Sequence, residues 1–426
     1  MYWAEQVTVA PAPEARGSID ADVVVIGGGI AGLSAARRLG ELGQDVVLLE
    51  AQVCGAGATG RSSGFVTPDS ELELCHLEAR FGAADASLLW RAALGACARL
   101  RADVERWRLA ADLVPADSLF VARTSRSSRL VRAEHEAHQR LGLPSRHYDR
   151  EQLAEVLGGD GFCAGVRAPS TFGMNGFAYA QGLKQALVAE GVRCFEGSPV
   201  VAIAPHEVRT PEAIVRARAV LVCLDRFALD LGLMADDCYH AQAFLILSEP
   251  LDDATWRAIF PDAPLLVWDS DLVYQYFRRT GEGRLLVGGG RLAETYAARE
   301  HPSSPAHAKL ERYARRCFAA LAEVRFTHRW QGLIGMSKDL LPIAGRCPGE
   351  PWKYVALCAA GLPWSVLAGE SAAAQLAGGA TPLDRFFVPG RRFHRIERLQ
   401  PLLGKPLTWA LSYYFARRSG ARPSSR

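Results

Sequence analysis

Gly27-x-Gly29-x-x-Gly32 lies between an apolar run at residues 21–26 (ADVVVI) and a stretch at 30–42 whose apolar residues recur at helical spacing. An apolar run without polar alternation fits a strand buried on both faces, which is the parallel kind. In such a turn the first glycine permits the tight bend, the second lets an anion approach the backbone, and the third lets helix and strand pack closely. Residues 45–49 return as a second apolar strand ending at Glu50, eighteen residues after Gly32. This is one βαβ unit, and it commits the chain to an α/β sheet covered by helices. The helix N-terminus turns free N–H groups and a positive dipole end toward a pyrophosphate, and the Glu50 carboxylate can accept from a ribose diol. Dinucleotide binding follows.

A second nucleotide site is not expected. Gly288-Gly289-Gly290 is the only rival fingerprint and no helix of small residues follows it, so FAD without a nicotinamide site fits best. With 426 residues, 49% of them apolar, the chain has room for two or three domains and is neither collagenous nor disordered. Residues 391–426 hold nine Lys/Arg against Glu397, a net +8 that leaves the other 390 residues at −5. An acidic body argues against nucleic acid as a partner. Ten scattered cysteines lack C-x-x-C or metal-ligand spacing, and His76, His135, His138 and His240 show none either, so reduced thiols, no metal and a cytoplasmic protein are expected. No targeting stretch opens the sequence and no run of ~18 apolar residues occurs, so neither export nor a membrane span is expected.

Along the chain, residues 1–19 read as an arm extended over the surface. Residues 200–203 and 219–223 read as buried strands rejoining the first sheet, and 240–290 alternate as a separate antiparallel sheet. The expected class is α/β (α+β overall), with both domains discontinuous. A Rossmann-like FAD-binding domain takes 20–85, 150–230 and 325–390, and a substrate domain takes 86–149 and 231–324, before the aromatic, basic tail at 391–426.

Four segments carry a family resemblance. They are VVVIGGGIAG with Glu50, the run 55–64 (GAGATGRSSG), GLIGMSKDLLPIAG at 332–345, and Ala360-Gly361 before a late helix. Together they resemble the D-amino-acid oxidase superfamily of FAD oxidoreductases over nearly the whole chain. Tyr2-Trp3 and the tail with Tyr413-Tyr414 are similar to the gamma-glutamylputrescine oxidase / glycine oxidase-like branch.

The resemblance implies FAD contacts from Gly27, Gly29, Ile30, Ala31 and Gly32, from Glu50 and Ala51, and from Ala58, Thr59, Gly60, Arg61, Ser62, Ser63 and Gly64 passing under the flavin ring. Val200 would meet the adenine, and Ala360, Gly361, Leu362 and Pro363 would present a helix N-terminus to the flavin. The arginines with which glycine-oxidase-like enzymes hold a substrate carboxylate are replaced by Ile334 and Ala359, so a simple α-amino acid is not the expected substrate. Gly332 replaces the cysteine of covalent flavoproteins, so FAD is expected non-covalent. Leu286 replaces the oxygen-activating lysine, which leaves oxygen or another electron acceptor open. Tyr274, Tyr276, Ile334 and Trp364 are the substrate-pocket candidates, with Trp364 either walling an amine cage or packing under its helix, and no certain catalytic residue is named. The expected reaction is oxidation of a C–N bond of a small-molecule amine by hydride transfer to flavin N5, giving an imine that hydrolyses. The alternatives are a tailoring or maturation flavoprotein acting on a peptide or metabolite, and a flavin-binding assembly factor that docks a protein or membrane surface through its tail.

Overall fold

The computed structural model describes residues 2–69, 71–234, 236–297, 299–391 and 399–418. The apolar run at 21–26 belongs to strand β1 (Gly17–Ile26), which lies parallel to β2 (Val46–Leu49) on one side and to β3 (Ala213–Val222) on the other. Lys353–Leu357 joins β3 in parallel and Arg193–Phe195 joins β2, giving five parallel strands within an eight-stranded sheet. Val23, Val24 and Val25 are fully buried, as a strand covered on both faces requires.

The short helix α1 (Tyr2–Glu5) precedes the sheet in sequence, and α2 (Ile30–Glu41) follows the glycine turn. The late helix α3 (Leu362–Leu376) packs on α2 through small residues. A Cβ at Gly369 would stand 2.1 Å from the Ala31 carbonyl oxygen, so the close crossing depends on glycine there. The mixed α/β class with an FAD-type sheet and a second sheet agrees with the sequence reading.

The second eight-stranded sheet contains β4 (Cys238–Pro250) and β5 (Phe326–Ser337) at one edge, antiparallel over eleven paired positions. It is not purely antiparallel, because Leu265–Asp269 runs parallel to Asp117–Ala122. Ala164–Ala168, paired with Asp117–Ala122, and β5, paired with β4, both belong to this sheet, although the sequence boundaries group both with the FAD-binding segments.

Three local expectations are corrected. The arm is not wholly extended: α1 buries Tyr2 and Trp3 completely, because two large aromatic rings gain more from a cleft than from solvent. Residues 200–203 do not open a buried strand. Ala202–Ala204 is an edge strand of an antiparallel hairpin, Val201 is 61% exposed, and β3 supplies the third buried strand. Tyr274 is outside the strand that holds Tyr276, which spans Tyr276–Arg279. The Asp269 carboxylate accepts the amides of Asp271 and Gln275 and curls the intervening residues into a loop.

Candidate active site

At the glycine turn, Gly27 adopts φ +105°, and an added Cβ would stand 2.5 Å from the Cys223 carbonyl oxygen. The Glu50 carboxylate accepts the amides of Gly28 (2.7 Å) and Gln52 (2.9 Å) and so ties the end of β2 to the turn. Burial raises its pKa, opposed by those same amides. Helix α2 starts at Gly29 with no side-chain cap. The Ile30 amide donates to Thr59 Oγ1 (3.0 Å), which leaves the amides of Ala31 and Gly32 without an intrahelical acceptor. Val200 lies close to this end of the sheet, since the Ser198 amide donates to the Glu50 carbonyl.

The segment 58–68 runs from this turn toward the second sheet as one helical turn, Ala58–Arg61, a two-residue strand, Phe65–Val66, and irregular backbone between and after them. Its carbonyls are satisfied by side chains from remote parts of the chain. Trp330 Nε1 donates to Arg61 O, Trp3 Nε1 to Ser62 O, Arg278 Nε to Ser63 O and Trp364 Nε1 to Pro68 O, at 2.7 to 3.0 Å. A buried irregular backbone needs such donors, and here three of the four are indoles. Trp364 therefore takes the packing role. It is fully buried, edge-on to Phe387, and does not wall an open pocket.

The loop 358–361 enters α3 with Gly361 at φ +94° and no side-chain cap. The Asp225 carboxylate accepts the Gly335 amide (3.0 Å) and those of Arg226 and Cys358, so it joins this loop to β5. Cys358 is not a solitary thiol, since its sulfur lies 2.7 Å from that of Cys238. Ile334, paired with Ala241 across β4 and β5, and Ala359 are both half-buried and pack against the same apolar cluster. No guanidinium comes from either position.

Tyr276 packs over Gly288, where a Cβ would stand 2.1 Å from its ring, so the glycine triplet at 288–290 makes room for a side chain. The Tyr276 ring meets Phe65 edge-on at 5.5 Å and Tyr274 at 5.8 Å, so the two tyrosines share a side despite the loop. Tyr274 donates to Glu71 Oε1 (3.0 Å).

The tail helix α4 (Gln400–Arg418), kinked at Gly404, packs beside this group, burying Trp409, Tyr413 and Arg417. Tyr413 donates to Glu71 Oε2 (3.0 Å). Arg391 locks the 337–342 loop through both oxygens of Asp339 and the carbonyls of Leu341 and Pro342. Glu71, Trp409, Arg417 and Asp225 were missed in the sequence, where none belongs to a motif. The tail bases Arg392, Arg395, Arg398, Arg422 and Arg426 lie outside the described residues. Among the described residues no helix is long and apolar enough to cross a membrane, and no three His/Cys/Asp/Glu side chains converge as a metal site.

Residues 22–375 match the family described as FAD dependent oxidoreductase (DAO). The chain is 27% identical over 391 residues to the gamma-glutamylputrescine oxidoreductase of Escherichia coli (strain K12), covering 90% of each. It is 26% identical over 379 residues to the probable oxidoreductase OrdL of Haemophilus influenzae, covering 86% of this chain and 85% of that one. Glycine oxidase from Geobacillus kaustophilus superposes with a TM-score of 0.75 at 18% identity, over 88% of this chain and all of that one. L-proline dehydrogenase from P. horikoshii superposes at 0.72 and 18%, over 88% and 96%. At these identities the solved structures share the fold.

Proposed function

Because the chain belongs to the DAO family of FAD-dependent oxidoreductases, we propose that it oxidises a C–N bond of a small-molecule amine other than a simple α-amino acid. The observation that carries this is the apolar pair Ile334 and Ala359, half-buried where a carboxylate-binding guanidinium would be needed. A carboxylate brought there would be desolvated and unpaired, at a cost of several kcal/mol. The gamma-glutamylputrescine oxidoreductase relative, named for an amine, points the same way.

The residues present fit an FAD. The uncapped start of α2 with free Ala31 and Gly32 amides suits a pyrophosphate, and the uncapped start of α3 at Gly361 suits the flavin's electron-rich edge. Bound FAD would supply the two-electron acceptor for the substrate C–H. The chain's own part is to hold the segment 58–68 rigid, to exclude water with Tyr274, Tyr276 and Ile334, and to orient the neutral amine so that its α C–H faces the acceptor. The product imine then hydrolyses in water. With Gly332 in place of a cysteine, the cofactor is held without a covalent bond, and acid precipitation would release it. Ten free thiols, nine of them buried, are consistent with a cytoplasmic enzyme.

Anaerobic mixing with a panel of amines and amino acids tests the reading. Primary or secondary amines are expected to bleach the flavin, with simple α-amino acids at least about 100-fold lower in kcat/KM. Efficient bleaching by D-amino acids would overturn it.

A further inference from the structure

The outward side of α4 has no role in the reaction described above. Trp409, Tyr413 and Arg417 recur every four residues and are buried, with Thr408 and Ser412 beside them, so they mark the side of the helix that meets the body. The helical repeat then places Leu407, Ala410, Leu411, Tyr414 and Phe415 on the side away from it, and all five are exposed or half-buried. None is charged, and residues 406–416 contain no Asp, Glu, Lys or Arg. A helix resting on a protein ordinarily turns polar residues to water.

The exposure is concentrated. Of the ten large apolar side chains exposed among the described residues, four lie within 399–415: Leu399 (45%), Leu402 (82%), Leu407 (48%) and Phe415 (45%). Apolar side chains gathered in this way, unlike single ones scattered over a surface, mark a face that something covers.

Charge identifies the cover. In the sequence Arg392, Arg395 and Arg398 precede the apolar stripe, Arg418, Arg422 and Arg426 follow it, and Glu397 is the one acid between 391 and 426. An apolar stripe flanked on both sides by arginines complements a surface that is anionic at its face and apolar beneath, which is a bilayer carrying anionic lipid. A second copy of the chain fits less well, because a two-fold contact would set one basic tail against the other. Since no described helix is long and apolar enough to cross a membrane, α4 would lie in the interface rather than span it.

We propose that the outward side of α4, together with Leu399 and Leu402 before its kink, docks this protein on an anionic lipid bilayer. The apolar side chains enter the headgroup boundary and the flanking arginines supply the attraction to lipid phosphates. The inner side of the same helix touches the pocket candidate Tyr274, whose ring lies 4.9 Å from the Arg417 guanidinium, so docking holds the candidate pocket close behind the bilayer surface. The proposal stands apart from the choice of substrate.

The test is co-sedimentation of the holoenzyme with vesicles of phosphatidylcholine alone and of phosphatidylcholine with about 30% phosphatidylglycerol. The wild type is expected to partition onto the anionic vesicles about tenfold more strongly than onto the neutral ones, and to be released as salt is raised. Leu402→Glu with Leu407→Glu should lower that partition about tenfold while flavin content and turnover in solution stay unchanged. Arg422→Ser with Arg426→Ser should lower it at least about fivefold.

No binding to the anionic vesicles, equal binding to both compositions, or undiminished binding by the double leucine variant would each overturn the proposal. So would a wild-type dimer in light scattering that stays off the vesicles and dissociates in the double leucine variant, because a second copy would then cover the face. Should the double variant lose its FAD, Leu402→Gln at the most exposed position decides: a partition lowered about threefold supports docking, and an unchanged one counts against it.

Discussion

Arg278 is fully buried without an ion pair among the described residues, and burial, only partly opposed by the more distant Asp112, has pulled its guanidinium down to about 10. It remains because three carbonyls depend on it: Ser63 O, Arg279 O and Met174 O accept from it at 2.7 to 3.0 Å. Arg278→Met should cost about 2–4 kcal/mol, since each buried carbonyl left without a donor costs ~1–3 kcal/mol and the relief of a desolvated charge offsets part of the sum. Urea unfolding measures the loss, and dilution of the holoenzyme should show faster FAD release. Arg278→Lys should recover little, because an ammonium lacks the planar fork that reaches three acceptors. Glu50 could be read in the sequence because its role follows from local spacing. Arg278 could not, since Phe277-Arg278-Arg279 reads as the polar end of a strand and its partners are 104 and 215 residues away.

The same division holds for elements. β1, α2 and β2 are legible because burial on both faces writes an apolar run and the turn demands glycines at fixed positions. α1 is not, since four residues carry too little periodicity and its reason for forming is remote. The Trp3 indole bonds Ser62 O and meets Trp330 edge-on at 6.4 Å, and the Asn175 side chain donates to Trp3 O at 3.2 Å. α1 is thus a clasp on the segment 58–68. Trp3→Ala should cost ~3–5 kcal/mol by the usual measure of a large buried ring, and Trp3→Phe about 1–2 kcal/mol for the lost hydrogen bond and part of the ring. Because the clasp acts on the candidate flavin segment, both should lower FAD retained through gel filtration, in that order. Full retention of FAD by Trp3→Ala would show that α1 acts on stability alone.

Across the whole molecule, a group of buried acids lies where the helices Leu74–Phe81 and Ser128–Arg140 pack against the second sheet. Glu73 caps the helix Leu74–Phe81, yet it accepts from Trp268 Nε1 of the second sheet at 2.9 Å, and Glu134 accepts the Leu74 and Cys75 amides from another helix. Asp69 and Glu73 line a cavity of about 20 Å³ there, the size of one water. Burial lifts Asp69 from 3.8 to about 7 and Asp269 to about 6, while burial lowers His76 to about 4.

A carboxyl group raised on folding contributes stability that is complete below its unfolded pKa and is lost as pH rises through its folded one. A histidine lowered on folding does the reverse, losing stability as pH falls from about 6.5 toward 4. Between about 4 and 6 the two carboxyl terms outweigh the one histidine term, so stability already declines there as pH rises. Above 6.5 the histidine is neutral in both states and Asp69 is still releasing its proton, so stability should fall from pH 6.5 to pH 8. Thermal unfolding across that range should show a declining Tm in the wild type and a flatter profile in Asp69→Asn, which keeps the shape and removes the titrating group. An equal decline in the two proteins would place the pH dependence elsewhere in the fold.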